Sequence, residues 1–87
     1  MIDEFFDKQF QGLLEKYAEL LTGDESPEMV EKIKIWATYQ HISRTMPPLT
    51  KHWGDMHPDG RLFLRELFEE VKRLNEQLKA TRGGENI

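Results

Sequence analysis

Three side chains able to ligate a metal lie close together in this sequence: His52, Asp55 and His57. Imidazole and carboxylate are suitable ligands for zinc, copper or nickel, and the spacing H-x-x-D-x-H can converge in a turn. Met46 and Met56 add soft sulfur that would suit copper(I), and His41 is a further candidate. A haem held by His41, His52 or His57 would need the same convergence. The spacing matches no specific metal motif, so the plainer expectation is no metal and no cofactor. In that reading one histidine and a tryptophan pack this segment onto the rest of the chain, and the other histidine caps a helix or faces water. A histidine placed beside Asp55 or Asp59 would change its charge near neutral pH.

These residues belong to one stretch, MPPLTKHWGDMHPDG, from Met46 to Gly60. It holds three of the four prolines, two of the three histidines and one of the two tryptophans. Helix-forming sequence flanks it, and helix–helix connections usually run about 2–8 residues. A longer and chemically richer connector is either packed or used. Tryptophan, tyrosine, methionine and arginine are enriched where proteins bind one another. Trp53, His52, Met56 and His57, with Trp36 and Arg44 beside them, therefore form a candidate partner-binding surface, to which Tyr39 and Met46 would add and which Arg61 could border. The structural alternative is that both tryptophans are core plugs between helices. The longer run WGDMHPDGRLFLREL is distinctive but carries no motif of assigned chemistry.

Other chemistries have less to stand on. Arg61, Arg65, Lys72, Arg73, Lys79 and Arg82 are interleaved with Glu66, Glu69, Glu70 and Glu76, whereas phosphate binding needs a concentrated positive face. No nucleic acid is expected, and the basic run reads as a solvated helix face. The two serines, Ser26 and Ser43, offer no nucleophile: Ser26 suits a helix cap, and Ser43 and His41 fall on different sides of a helix. No glycine-rich phosphate loop is present.

The elements that position these residues are legible as helices. Phe6, Phe10, Leu13, Tyr17 and Leu20 recur at alternating spacings of four and three, which marks one helical face, and Phe5, Leu14 and Leu21 widen it. Asp3 can cap this segment, and Gly23 can end it in the left-handed conformation. Gly12 interrupts it, either admitting a neighbouring helix or merely tolerated. Ser26-Pro27-Glu28 is a helix start, followed by Met29, Val30, Ile33, Trp36, Ala37 and Gln40 at helical intervals. Met46 precedes a proline, so this helix stops by Thr45. Leu49 to Trp53 has room for one helical turn. Leu64, Leu67, Val71, Leu74 and Leu78 form a heptad-like seam of about two repeats in the last helix, which Gly83-Gly84 would terminate before a frayed tail.

The expected fold is all-α: a small three-helix bundle with helices at about residues 3–21, 27–45 and 58–81, joined by a long connector between the second and third. Residues 1–82 form the single domain and 83–87 the tail. At 87 residues the core is limited, and many chains of this size borrow stability from a partner. The charge is uneven: nine acids against two bases up to Glu31, a balance of −7, then ten bases against six acids from Lys32 to Arg82, a balance of +4. The first helix could lie against the later ones and be neutralised there, or remain as a surface that steers a partner or a second copy. There is no cysteine, hence no disulfide or thiolate site. No signal-like or membrane-spanning stretch is read, so a cytoplasmic location with no membrane contact is expected. The functional expectation is a non-enzymatic accessory, regulatory or inhibitory protein that binds another protein, with a homodimer possible. The alternative is a small metal- or ligand-binding protein using His52, His57 and Asp55.

Overall fold

The structure, a computed structural model, describes residues 3–82; the Gly83-Gly84 terminator and the tail lie outside them. The fold is all-α, with α1 (Glu4–Thr22), α2 (Pro27–Thr45), α3 (Pro47–Met56) and α4 (Pro58–Arg82). The three expected helices are present with ends displaced by no more than one residue. The correction concerns the connector: it is a fourth helix, α3, so the three-helix count does not hold.

Proline explains the difference. Met46 (φ −141°, ψ 70°) and His57 (φ −130°, ψ 74°) are the single non-helical joints on either side of α3. Each precedes a proline, which disfavours the helical region. Pro47 and Pro58 then open the next helix, where a missing N–H costs nothing. Each joint also serves both neighbours. The Met46 N–H donates to Ile42 O at 2.7 Å while its carbonyl accepts from the Leu49 N–H at 3.0 Å. His57 does the same between Trp53 O (2.9 Å) and the Arg61 N–H (3.0 Å).

The other ends follow the sequence. The Asp3 carboxylate accepts from the Phe6 N–H at 2.8 Å, and Ser26 Oγ from the Met29 N–H at 3.2 Å. Gly23 closes α1 at φ 84°, a conformation that favours glycine.

The core lies where α2, α4 and the C-terminal half of α1 meet. Ala18, Met29, Val30, Ile33, Leu64, Leu67 and Val71 are buried there. Lys32 pairs with Glu70 at 3.1 Å across α2 and α4. Asn75 Nδ2 donates to the Leu21 carbonyl at 2.9 Å, satisfying an acceptor that the last turn of α1 leaves free.

α1 turns inward a face other than the one its strongest stripe marks. Ala18 and Thr22 are buried, with Leu14 and Leu21 packed at the edge of the core. Phe6, Phe10, Leu13, Tyr17 and Leu20 remain 48, 45, 60, 40 and 54% exposed. The small side chains allow close approach to α2 and α4, and the Thr22 hydroxyl is satisfied by donating to Ala18 O at 2.8 Å. Nothing stands within 4 Å of the position a Gly12 Cβ would take, so that glycine admits no neighbour. Among the described residues no ion pair ties α1 to another helix, so its acids are not neutralised by direct pairing across the bundle.

The molecule measures 44 × 36 × 22 Å with a radius of gyration of 15.2 Å. A compact domain of this length would have a radius near 12 Å; the chain is a slab with apolar surface left uncovered. Among the described residues no helix is long and apolar enough to cross a membrane.

Candidate protein-binding surface

The α3–α4 corner is built by two reciprocal insertions. The Trp53 ring lies over Gly60, where a Cβ would stand 2.6 Å from Cη2. The Arg61 guanidinium lies over Gly54, where a Cβ would stand 2.9 Å from Nε. Each helix gives up a side chain to receive a large one from the other.

Asp55 locks the corner. Its carboxylate accepts from Arg61 on α4 and from Lys51, one turn earlier on α3, at 3.2 Å. The Arg61 hydrogen bond, then the one from Lys51, holds the Asp55 carboxyl below the usual carboxylate range. On the other side of α3, the Ser43 hydroxyl of α2 donates to Thr50 Oγ1 at 3.2 Å.

Trp53 is braced as well. Its ring packs against Tyr39 at 6.2 Å and His57 at 5.3 Å, measured between centroids. Tyr39 meets Phe68 edge-on at 6.0 Å, Phe68 meets Trp36 at 6.2 Å, and Trp36 meets Tyr17 at 6.3 Å. Six rings thus run without a break from α1 to the end of α3. Trp53 nevertheless stays 39% exposed.

With Thr50 and Gly54 turned toward the bundle, helical spacing aligns Leu49, Trp53 and Met56 along an outer flank of α3. Leu49 and Met56 are 52% and 61% exposed, and Met46, at the joint before α3, is 59% exposed. Beside Trp53 an open groove of about 340 Å³ runs between α2 and α4, lined by Ile35, Thr38, Tyr39, Ile42 and Leu64.

The expected site residues are therefore only partly united. Trp53 and His57 pack against each other at a tilt of 45°, and His52 and Met56 project from the same helix into solvent. Trp36 is separate: it packs between Tyr17 and Phe68, on the side of α2 that faces α1 and α4. Arg44 is exposed on the last turn of α2, 3.5 Å from Gln40 Oε1. Leu49 and the groove residues Ile35 and Ile42 are additions that the sequence reading missed. The i, i+4, i+7 spacing of Leu49, Trp53 and Met56 reveals Leu49 once Pro47 is taken as a helix start; no local spacing reveals the α2 groove residues.

The metal-ligand reading gains no geometry. Asp55 is occupied by two cations, and among the described residues no three His, Asp or Glu side chains come together as a metal site. Neither histidine is the partner of Asp55.

A family model described as a protein of unknown function (DUF2573) matches residues 4–81, which takes in all four helices. The chain is 43% identical over 75 residues to the uncharacterized protein YusU of Bacillus subtilis (strain 168), covering 86% of this chain and 79% of that protein. No solved structure matches it. The chain belongs to the DUF2573 family.

Proposed function

We propose that this protein is a non-enzymatic accessory factor of the cytoplasm, which regulates or inhibits another protein by binding it through α3 and the adjoining groove. The observation that carries this reading is the row of Leu49, Trp53 and Met56, with the two outer side chains more than half exposed and the braced Trp53 ring 39% exposed, on a helix held at its joints and by the Asp55–Arg61 pair. A rigid aromatic anchor flanked by flexible methionines suits protein recognition, because little side-chain entropy is lost at the centre while the rim adapts. The open, apolar groove beside Trp53 suits a side chain presented by an amphipathic helix of the partner.

The test is capture of the partner from the native host by wild-type protein and by Leu49→Lys, Met56→Lys and Trp53→Ala variants. The two lysine variants alter exposed positions, so they should keep the far-ultraviolet circular dichroism spectrum and lose the captured protein. Trp53→Ala should weaken capture more than it weakens folding. Undiminished capture by all three folded variants would refute the assignment.

A further inference from the structure

The apolar face of α1 is a second exposed surface, which the described residues leave about half uncovered. At 3.6 residues per turn, Phe6, Gln9, Phe10, Leu13, Tyr17 and Leu20 fall within an arc of about 100°, and no charged side chain of α1 does. Phe6 and Phe10 are stacked at 5.7 Å on that face. The N-terminal half of α1 also stands off from α2, leaving a groove of about 760 Å³ between Phe10 and Leu14 on one wall and Lys34 and Ala37 on the other.

We infer that this face binds a second copy of the chain, α1 against α1, antiparallel about a two-fold axis near Leu13. Three observations select that occupant. The spacing of Phe6, Phe10, Leu13, Tyr17 and Leu20 alternates four and three, so the seam reads as the same a/d pattern in either direction and can mesh with itself. Because the arc is uncharged, self-association sets no like charges directly opposite, although α1 as a whole is acidic. The area is also sufficient. The five side chains leave about half of themselves in water, roughly 100 Å² each out of some 200 Å². A symmetric pair would then bury at most about 1,000 Å², and Phe5, 79% exposed at the flank, adds to it; that meets the roughly 1,000 Å² an interface should clear, below the span of about 1,200–2,000 Å² typical of specific, stable complexes.

The antiparallel sense follows from charge. Asp3, Glu4 and Asp7 sit in or next to the first turn, and a parallel pair would place two such turns side by side with their helix dipoles aligned. Centring the axis on Leu13 gives the fullest overlap of the seam.

The experiment is sedimentation equilibrium of the full chain at micromolar concentration. Wild type should be a dimer. Leu13→Lys, which sets two ammonium groups near the axis, should weaken the dimer by about a hundredfold or more. Leu62→Lys, at a position on α4 that is 51% exposed and outside the seam, should leave it unchanged. Cysteine cross-linking supplies a readout independent of that variant's folding, since the chain has no cysteine of its own. Leu13→Cys should form an intermolecular disulfide under mild oxidation. Leu20→Cys should not, because antiparallel pairing separates the two copies of residue 20 by roughly 21 Å along the axis, well beyond disulfide reach. A strict monomer, a dimer indifferent to Leu13→Lys, or equal cross-linking at both positions would overturn the inference. A monomer here with intact partner capture by α3 would leave the proposed function standing.

Discussion

Replacing Gly60 by alanine tests the α3–α4 corner directly. The new Cβ would stand 2.6 Å from Trp53 Cη2, 3.2 Å from Cζ2 and 3.3 Å from Cζ3. Carbon atoms in favourable contact are about 3.5–4.0 Å apart, so the ring must move by roughly 1 Å. It is not free to swing, because Tyr39 and His57 pack against it. Overpacking of this kind costs about 1–3 kcal/mol. The substitution also favours the helix by up to about 1 kcal/mol, which partly hides the cost. Gly12→Ala is the control that removes this ambiguity. It makes the same change in a helix with nothing within 4 Å of the new methyl, and should stabilise by about 0.5–1 kcal/mol. The difference between the two variants therefore isolates the steric cost, about 1–3 kcal/mol, or a gap of roughly 4–24 °C in midpoint for a domain of this size. Thermal unfolding followed by circular dichroism, at one fixed protein concentration, measures it. Adding Trp53→Ala to Gly60→Ala should abolish the steric penalty, giving a coupling energy of similar size. Equal stabilisation by Gly12→Ala and Gly60→Ala would refute the placement of the ring.

Asp55 makes the corner sensitive to acid. Its carboxyl is held below the ordinary value by Arg61 and then Lys51, so the folded state takes up its proton at a lower pH than the unfolded state. That contribution is complete above the unfolded value, near 4, and is lost as pH falls through the lower folded value. Asp55→Asn should flatten this part of the acid-unfolding curve, and an unchanged curve would contradict the clamp. Asn75→Ala should cost about 1 kcal/mol, measured by urea denaturation, because the partly buried Leu21 carbonyl loses its donor; no loss would mean that water replaces the amide.

The helices were readable because their signals are local. Asp3, Gly23, Ser26 and Pro27 act on backbone groups within one turn, so residue type and order suffice to place the ends of α1 and the start of α2. Pro58 was equally local and marked the start of α4, whereas the Pro47-Pro48 pair reads either as a break or as a beginning. The distinction depends on whether the residues after it can continue the helix. The candidate surface was legible as a region around Trp53; only the folded structure aligns Leu49 with Trp53, sets Trp36 apart between Tyr17 and Phe68, and pairs Asp55 with Arg61 and Lys51.

Sequence alone indicated the all-helical class, the breaks before Pro27, Pro47 and Pro58, and the small size of the core that so short a chain can form. Those follow from periodicity, caps and length. Tertiary structure alone decided which side of α1 is buried and what fills Gly54 and Gly60. Packing rewards fit as well as oiliness. Ala18 and Thr22 allow a close approach that the bulkier Phe10, Leu13 and Tyr17 do not, so the more apolar stripe was left facing water. The contact of Trp53 with Gly60 exists only because α3 and α4 meet at an angle set by the His57 joint, and no spacing rule encodes that angle.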